Sequence, residues 1–223
     1  MNRIAIYDMD KTITRRPTFT PFLLHSARTL NPARLLLIPF VLVTIFLYAV
    51  RLIDRGRLKE LNHALLIGRV LPVQSAKSVA AGFATMTISS NVLTDATRRI
   101  ASDRAEGYRL VMATASYAFY ASAIAQTLGF ETTIGTRAAT SATGDVLARI
   151  DGENCYGPAK RRMVEAWLAQ QGLVRAECHI RFYSDHVSDA PMLEWADEAF
   201  VVNGHGPLKQ LAHERGWPSF DWH

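Results

Sequence analysis

Cysteine is scarce in this sequence: its 223 residues include only two, Cys155 and Cys178. Two cysteines are too few for a disulfide framework, so we expect a reducing, cytoplasmic setting. We expect no secretory leader either, because the sequence opens directly into an apolar run that reaches Asp8. Internal repeats and low-complexity segments are also absent, which leaves a globular fold: one large domain, or a core with a smaller inserted domain.

Acidic residues are outnumbered by basic ones, 20 to 25, which gives a formal net charge of +5. A basic surface favours anionic partners such as phosphates, nucleic acid or an acidic membrane face. The basic residues are not interleaved with aromatic residues that could stack on bases, so no nucleic acid is expected as a partner. Hydrophobic residues make up 49% of the chain, enough for a sizeable core.

The stretch from Leu35 to Val50 contains no charged residue. As a helix it would cover about 24 Å, short of the ~30 Å hydrocarbon core of a bilayer, and Pro39 would bend it. A helix lying in the interface of an anionic membrane therefore fits better than a simple span, and a buried helix of a helical subdomain is the alternative. The flanking basic residues, expected to meet lipid head groups, are Arg28, Arg34, Arg51, Arg55, Arg57 and Lys59.

The order of elements predicts an α/β fold with a doubly wound, Rossmann-like parallel sheet and an all-helical insert. Residues 4–7 read as a strand buried on both faces. Residues from about 20 to 86 read as helices, with breaks at positions 31–32, 55–56, 68 and 71–72. Ser89 or Ser90 is predicted to cap a helix that runs to about residue 106. We therefore assign residues 1–14 and 89–223 to the core and residues 15–88 to the insert.

Strands and helices alternate through the rest of the chain. Ser116 is predicted to cap the first helix after the second strand. The segment 137–157 reads as a hairpin or loop. The predicted strands are 108–114, 130–136, 179–184 and 199–202, and the predicted helices are 117–128, 159–171, 188–195 and 208–215.

Asp8 and Asp10 follow the first strand directly, at the end of the strand where open parallel sheets hold their ligands. Two carboxylates this close repel each other unless a cation or a shared proton compensates. Oxygen ligands at this density suit a hard cation such as Mg²⁺. An Asp-rich turn without chemistry is the alternative interpretation of this segment alone.

Four further polar residues fall at predicted strand ends or helix starts: Thr114, Lys160, Asp185 and Asp189. Each has an ordinary explanation by itself, such as helix capping or a solvated surface position. Together they match the needs of a phosphoryl group, because hydroxyls, helix N-termini and lysine bind its oxygens while a metal between carboxylates offsets its charge.

Taken in order, these segments resemble the four signatures of the haloacid dehalogenase-like phosphohydrolase superfamily. The resemblance covers almost the whole chain outside residues 15–88. Its finer pattern is similar to the phosphoserine phosphatase-like branch, which carries a helical cap after the first signature. The matching segments are DMDKT at 8–12, VMATAS at 111–116, GPAK at 157–160 and YSDHVSD at 183–189.

The resemblance implies a role for each matched residue. Asp8 would be the nucleophile that forms an aspartyl-phosphate, and Asp10 would protonate the leaving oxygen and then activate water. Mg²⁺ would be held by the side chains of Asp8 and Asp185 and by the backbone carbonyl of Asp10. The remaining assignments are Thr114 and Lys160 as phosphate ligands, with Asp189 and Thr12 in support.

The substrate is less well defined by the sequence. In phosphoserine phosphatases a glutamate about nine positions beyond the nucleophile holds the substrate amine, whereas here residues 15–18 read RRPT, without an acid. A cationic entrance favours a second anionic group on the substrate. Together with the apolar stretch, this suggests phosphatidylglycerophosphate as the substrate, because the insert resembles that of bacterial phosphatidylglycerophosphate phosphatases.

Such an enzyme would be cytoplasmic and peripheral at the inner membrane, touching it through Leu35–Val50. A phosphatase of soluble small metabolites, phosphoserine included, is the first alternative. A membrane-surface protein that binds phosphate without hydrolysing it is the second.

Overall fold

One eight-stranded sheet runs through the computed structural model, which describes residues 1–223. The strands are β1 (Asn2–Tyr7), β2 (Val70–Leu71), β3 (Arg109–Tyr117), β4 (Thr132–Thr140), β5 (Val146–Asp151), β6 (Cys178–Ser184), β7 (Glu198–Val202) and β8 (Ser219–Phe220). Their order is β2-β5-β4-β3-β1-β6-β7-β8. All neighbours from β4 to β8 pair in parallel, and only β5 and β2 add antiparallel pairs at one edge. The predicted parallel α/β core is therefore confirmed.

Nine α-helices accompany the sheet. They are α1 (Phe19–Leu30), α2 (Ile38–Ala49), α3 (Arg55–Leu66), α4 (Val73–Ser90), α5 (Thr94–Ala105), α6 (Ala118–Thr127), α7 (Pro158–Gln170), α8 (Ala190–Leu193) and α9 (Gly206–Arg215). Short 3₁₀ helices lie at Pro32–Leu37, Arg175–Glu177 and Val187–Asp189. The predicted elements after residue 108 are all present, with ends that move by a few residues, and the predicted hairpin is β4–β5.

The central strand β1 is buried on both faces, as its apolar sequence predicts. Ile4 and Ile6 contribute to the hydrophobic cluster on one face of the sheet. Ala5 and Tyr7 contribute to the larger cluster on the other face, which also contains the inner side of the insert. Because side chains alternate along a strand, four consecutive apolar residues support both layers of the core at once.

The insert differs from the predicted one in three details. The predicted break at residues 55–56 is wrong, because the Asp54 side chain accepts a hydrogen bond from the Arg57 amide at 2.7 Å and so caps α3 one residue before Arg55. The predicted helix start at Ser89 or Ser90 is also wrong. Both hydroxyls instead donate back to the Met86 carbonyl within α4, and α5 begins at Thr94. Finally, β2 interrupts the helices by pairing with β5.

Helix α2 turns most of its apolar surface outward. Only Val41 and Thr44 are buried among its twelve residues, so the alternative of a buried helix does not hold. Phe40, Leu42 and Phe46 are each more than half exposed. Together with the preceding 3₁₀ helix it forms Pro32–Ala49, a helical segment of 18 residues that is long and apolar enough to cross a membrane, with 11% of it buried.

Two of the flanking basic residues do not face outward. Arg34 donates hydrogen bonds to the carbonyls of Ala64 and Leu65. Lys59 is buried between the insert and the core. Arg28 and Arg51, at opposite ends of the apolar segment, remain exposed.

His63 is a fully buried histidine on the inner face of α3. Neither of its ring nitrogens has a hydrogen-bond partner. Its ring lies edge-on to Tyr117, with the ring centroids 5.6 Å apart. Burial lowers the pKa of His63 to about 4, because a protonated imidazole would lose its hydration without gaining a counter-charge.

We expect acid to destabilise the protein through His63. The pKa of this group is lower in the folded chain, at about 4, than the ~6.5 of an exposed histidine. Its stabilising contribution is therefore complete above the unfolded pKa and is lost as the pH falls through the folded one. At about pH 5 the loss amounts to roughly 2 kcal/mol.

Urea unfolding of the wild type and of His63→Leu, each at neutral pH and near pH 5, measures this loss. The leucine variant should lose less stability on acidification, by about 2 kcal/mol. Replacement of the exposed His213 by leucine is the control and should leave the pH dependence as in the wild type. Equal acid sensitivity of wild type and His63→Leu would contradict the assignment.

Candidate active site

The predicted site residues meet at the carboxyl ends of the central strands. Asp8 and Asp10 follow β1, Thr114 lies near the end of β3, and Asp185 follows β6 directly. A cavity of about 240 Å³ opens there, and its lining includes four aspartates, Asp8, Asp10, Asp185 and Asp189, together with Lys160. Strand ends of a parallel sheet share one edge, which is why residues far apart in the chain come together.

A tight turn after β1 presents the first two carboxylates. The Asp8 amide donates to the Tyr183 carbonyl at 2.9 Å, which fixes the end of β1 against β6. The Met9 carbonyl then accepts from the amides of Ile13 and Thr14, both at 3.0 Å, and closes the turn. Lys11 sits within it at φ +63°, a left-handed conformation that costs a non-glycine residue about 1–2 kcal/mol.

Lys160 is the centre of a buried ion cluster. Its Nζ donates to Asp8 Oδ1 at 2.8 Å and to Asp189 Oδ2 at 2.6 Å. The ammonium is 2% exposed, and it comes from the first turn of α7, where Gly157 and Pro158 start the helix. Ser184 also donates to Asp189 Oδ2, at 2.7 Å. Three separate segments are therefore joined by one side chain.

The cluster contains more carboxylate than ammonium. Burial raises the pKa of Asp8 to about 8, with Lys160 opposing the shift and Asp189 and Asp185 adding to it. Burial and then repulsion from Asp189 raise the pKa of Asp185 to about 7. Burial alone would lower the pKa of Lys160, but the carboxylates of Asp189 and Asp8 outweigh it and raise the pKa. An additional positive charge would relieve this repulsion.

The Asp10 carboxylate accepts hydrogen bonds from both the insert and the core. Its Oδ1 accepts from the Thr18 amide and hydroxyl, each at 2.8 Å, and its Oδ2 accepts from the Ser116 hydroxyl at 3.0 Å. Thr18 lies in the insert, directly before α1. Ser116 lies in β3 rather than capping the next helix as predicted. The Thr18 hydroxyl is in turn 3.1 Å from the Tyr120 hydroxyl. The carboxylate therefore connects the first turn, the insert and the core.

The two threonines of the predicted site are buried. Thr114 Oγ1 accepts from the Ser116 amide at 3.1 Å, so the hydroxyl orients the loop that follows. Thr12 is fully buried and its hydroxyl has no partner. The roles assigned to them, phosphate binding for Thr114 and support for Thr12, stay predictions.

The residues present suit a hard divalent cation. Asp185 lies on the cavity and forms no ion pair, and its backbone carbonyl is 3.2 Å from His205 Nδ1. Asp189 Oδ1 is buried without a partner. Carboxylate oxygens are the ligands that Mg²⁺ prefers. No group of three His, Cys, Asp or Glu side chains is arranged to hold a metal. The predicted ligand set does not require such a group, because it consists of the side chains of Asp8 and Asp185 and the backbone carbonyl of Asp10.

The rim of the cavity carries different cations from those predicted. Arg15 and Arg16 are exposed and do not line it. Instead, the backbone amide and carbonyl of Arg16 form hydrogen bonds with the Asn91 side chain. Lys11 and Arg55 line the rim, and the Arg55 guanidinium lies over the Tyr156 ring at 4.1 Å from its centroid. The cationic entrance is therefore built partly by the insert.

Several contacts of the site had no signal in the sequence. Thr18, Lys59 and Arg55 belong to the insert, and their approach to the core depends on long-range packing. Ser116 stands two residues after Thr114, a spacing that equally suits a helix cap. Ser184 is the last residue of β6. Its inward direction follows from the alternation of side chains along a strand, so its contact with the site could have been predicted from the sequence.

The family model for haloacid dehalogenase-like hydrolases matches residues 5–194 of the chain. Among curated proteins, the inhibition of morphological differentiation protein of Streptomyces azureus is 26% identical over 98% of this chain and 78% of its own length. Phosphoserine phosphatase SerB1 of Mycobacterium tuberculosis is 32% identical over 60% of this chain and 43% of its own length. The match to SerB1 therefore spans less than half of that relative.

Solved structures share the whole fold. A protein of unknown function from Bordetella pertussis Tohama I superposes with a TM-score of 0.87 at 25% identity, covering 99% of both chains. A phosphoserine phosphatase with bound substrate has a TM-score of 0.59 at 14% identity, covering 94% of this chain and 90% of the other. The fold is therefore phosphoserine phosphatase-like.

We expect Lys160→Met to destabilise the protein by about 3 kcal/mol, because it leaves buried carboxylates without their partner. Urea unfolding measures the change, and addition of Asp189→Asn should restore part of the loss. The control is Arg161→Met, which removes the exposed pair with Glu165 and a contact with the Trp195 ring, each worth less than about 1 kcal/mol. Equal stability of Lys160→Met and the wild type would contradict the cluster's structural role.

Proposed function

The chain belongs to the haloacid dehalogenase-like hydrolase family, and from this premise we propose that it is a Mg²⁺-dependent phosphomonoester hydrolase acting through an aspartyl-phosphate on Asp8. It is a phosphatase of the phosphoserine phosphatase-like kind. One observation carries the proposal. Asp8 is a buried carboxylate at a cavity, its Oδ1 is held by Lys160 at 2.8 Å, and Asp10 stands two residues away on the same cavity.

In the first step an oxygen of the Asp8 carboxylate attacks phosphorus. A bond forms between that oxygen and phosphorus, and the phosphorus–oxygen bond to the leaving group breaks. Asp10 gives its proton to the leaving oxygen. The hydrogen bond from Lys160 keeps Asp8 oriented and partly offsets the charge of the phosphoryl group.

In the second step water replaces Asp8. Asp10, now a carboxylate, takes a proton from the water as its oxygen attacks phosphorus, and the Asp8 carboxylate leaves with the electron pair of the acyl-phosphate bond. Thr18 and Ser116 hold the Asp10 side chain. They thus limit the orientations it samples between its two proton transfers.

Mg²⁺ would be held by Asp8, Asp185 and the Asp10 backbone carbonyl, and would supply positive charge for the phosphate oxygens. Thr114 and Lys160 complete the phosphate contacts of this proposal. In this proposal the core, residues 1–14 and 89–223, carries out the chemistry. The insert, residues 15–88, selects the substrate. Helix α4 crosses the boundary at residue 88, so the insert is anchored to the core by a continuous helix.

The substrate we favour is a lipid phosphomonoester, phosphatidylglycerophosphate, at an anionic membrane surface. Support comes from the outward apolar face of α2 and from its position next to the site. Tyr48, near the end of α2, lines a cavity of about 260 Å³ that Asp10 also lines. Acyl chains held by the membrane would therefore lie beside the insert while the phosphate reaches Asp8. Exposed Arg28 and Arg51 would meet anionic head groups.

A small soluble metabolite such as phosphoserine is the second candidate. The observation in its favour is the 32% identity to phosphoserine phosphatase SerB1 over 60% of this chain. A panel of phosphatidylglycerophosphate, phosphoserine and sugar phosphates, each with Mg²⁺ and with a chelator, separates the two by rate. The third candidate, a phosphate-binding protein without activity, requires that no member of the panel release phosphate.

We expect Asp8→Asn to lower Mg²⁺-dependent phosphate release by roughly 10³-fold or more, because the amide is not a nucleophile for phosphorus. Acid quenching of the wild type with radiolabelled substrate should trap label on the protein, and the variant should trap none. The matched control is Asp221→Asn, which affects only an exposed pair with Lys209. Undiminished activity of Asp8→Asn would remove the covalent mechanism.

We also expect the protein to sediment with vesicles containing phosphatidylglycerol. Leu42 and Phe46 are 61% and 63% exposed on α2, so replacement of both by glutamate should abolish sedimentation without disturbing the core. Val174→Glu is the control, since Val174 is 58% exposed near the amino end of β6, away from the insert. A wild-type protein that stays in the supernatant would refute the membrane proposal.

A further inference from the structure

A cavity of about 430 Å³ lies between α3 and the edge of the sheet, and we call it the arginine groove. Three exposed arginines line it: Arg57 on α3, Arg69 directly before β2, and Arg149 on β5. It shares no residue with the two cavities that Asp10 lines, so it is separate from the candidate active site. Its apolar wall consists of Leu61, Ala64, Leu147 and Ala148.

The arginine groove carries more positive than negative charge. Glu60 is the one carboxylate that lines it. Both Glu60 oxygens are already engaged, because Oε1 accepts from the Ile150 amide at 2.8 Å and Oε2 pairs with Arg57 at 3.1 Å. The exposed guanidinium groups of Arg69 and Arg149 take part in none of the ion pairs of the structure. Since arginine stays protonated at any pH the folded protein meets, two permanent charges of the groove lack an anionic partner.

The arginine groove lies on the opposite face of α3 from the candidate active site. At 3.6 residues per turn, Arg57, Leu61 and Ala64 share one face of the helix. Arg55 and Lys59, which line a cavity of the active site, share the other. The width of the helix therefore separates a ligand in the groove from the leaving group of the substrate.

The apolar segment Pro32–Ala49 adjoins the arginine groove. Thr44 of α2 donates to Asn62 Oδ1 at 2.5 Å, which places α2 along a neighbouring face of α3. Arg34, in the 3₁₀ helix before α2, donates at 3.1 Å to the carbonyl of Ala64, a residue of the groove wall. The groove and α2 are therefore neighbours on the outside of the insert, and one is cationic while the other is apolar.

An anionic phospholipid matches this pair of surfaces. Guanidinium groups bind phosphate oxygens through paired N–H donors. A phosphodiester head group would meet the arginines, and the glycerol and first methylene groups would contact the apolar wall. An inorganic anion would use the arginines alone and leave Leu61 and Leu147 in water. A nucleic acid would need aromatic side chains on which its bases stack, and none lines the groove.

We propose that the arginine groove binds the phosphodiester of an anionic phospholipid that is not the substrate. The inference rests on the membrane contact of the proposed function: α2 is the apolar anchor, and the groove selects anionic lipid. Arg149 belongs to the core and Arg57 to the insert, so one bound head group holds both parts of the protein at the membrane surface.

Partition onto two kinds of vesicle measures this selection. Sedimentation gives a partition constant for mixtures of phosphatidylglycerol and phosphatidylcholine and another for pure phosphatidylcholine. Their ratio separates the anionic preference from the apolar contact of α2, which both vesicles allow. Each arginine near an anionic surface contributes about fivefold, so the wild-type ratio should be about 100 at low salt. Arg69→Gln combined with Arg149→Gln should lower it about 25-fold.

The matched control is Arg98→Gln combined with Arg215→Gln. It removes the same charge from exposed positions on α5 and α9 and should keep the ratio of the wild type. Urea unfolding should give both double variants the stability of the wild type, because all four side chains are exposed. Inorganic phosphate, added at constant ionic strength, should leave the wild-type ratio unchanged.

A wild-type ratio near one overturns the lipid site and leaves the apolar contact of α2 in place. Equal losses in the two double variants also overturn it, because the attraction then belongs to the overall charge. Loss of the ratio in inorganic phosphate assigns the groove to a free anion and overturns the assignment to a lipid. A wild type that stays in the supernatant with every vesicle overturns the membrane contact and the groove together, whereas Mg²⁺-dependent phosphate release decides the proposed hydrolysis separately.

Discussion

The structure depends on one buried ammonium. Lys160 binds Asp8 from the end of β1 and Asp189 from the segment after β6, so a single charge joins the two central strands to the start of α7. Removing any partner would leave an uncompensated charge inside the protein, which is far more costly than losing a surface pair. The surrounding core supplies the rigidity for this arrangement: β1 contributes to the hydrophobic clusters on both faces of the sheet. In the proposed function, stability and chemistry therefore depend on the same contacts, and Asp189 Oδ1 is left without a partner.

The sequence predicted the part of the site that strand ends define. Asp8 and Asp185 line one cavity because parallel strands bring their carboxyl ends to one edge, a consequence of topology that periodicity reveals. Thr114 lies near the end of β3 but is buried and does not line that cavity. The contacts of Asp10 could not be predicted in this way. Thr18 reaches it from the start of the insert, and Ser116 reaches it from a strand that continues three residues beyond the predicted end. Both depend on how the insert packs, which no local pattern records.

Helix α2 is a second case in which the sequence alone could not decide the structure. Its composition left open a buried helix and a membrane-lying one, because an apolar stretch has the same sequence in both settings. The structure excludes the buried helix, because only Val41 and Thr44 of α2 are buried. It also divides the flanking basic residues into two groups: Arg28 and Arg51 face outward, whereas Arg34 and Lys59 turn toward the protein. A count of charges along the chain could not make that distinction, since burial belongs to the tertiary fold.

In the proposed function, selection among substrates comes from the insert. The phosphoryl group is the same in every phosphomonoester, so Lys160, Asp8 and their neighbours in the core cannot distinguish one ester from another by binding it. Discrimination requires groups that reach the leaving group, and the side chains in that position come from α2 and α3. Their chemistry is mixed: Tyr48 offers an aromatic surface, and Arg55 and Lys59 offer charge. A leaving group that is both anionic and attached to apolar chains would contact all three, whereas phosphoserine would bring a carboxylate that the two cations attract and an ammonium that they repel. The side chains of the insert therefore act on the leaving group in the proposed function, whereas the contacts of Lys160 and Asp8 would serve any phosphomonoester.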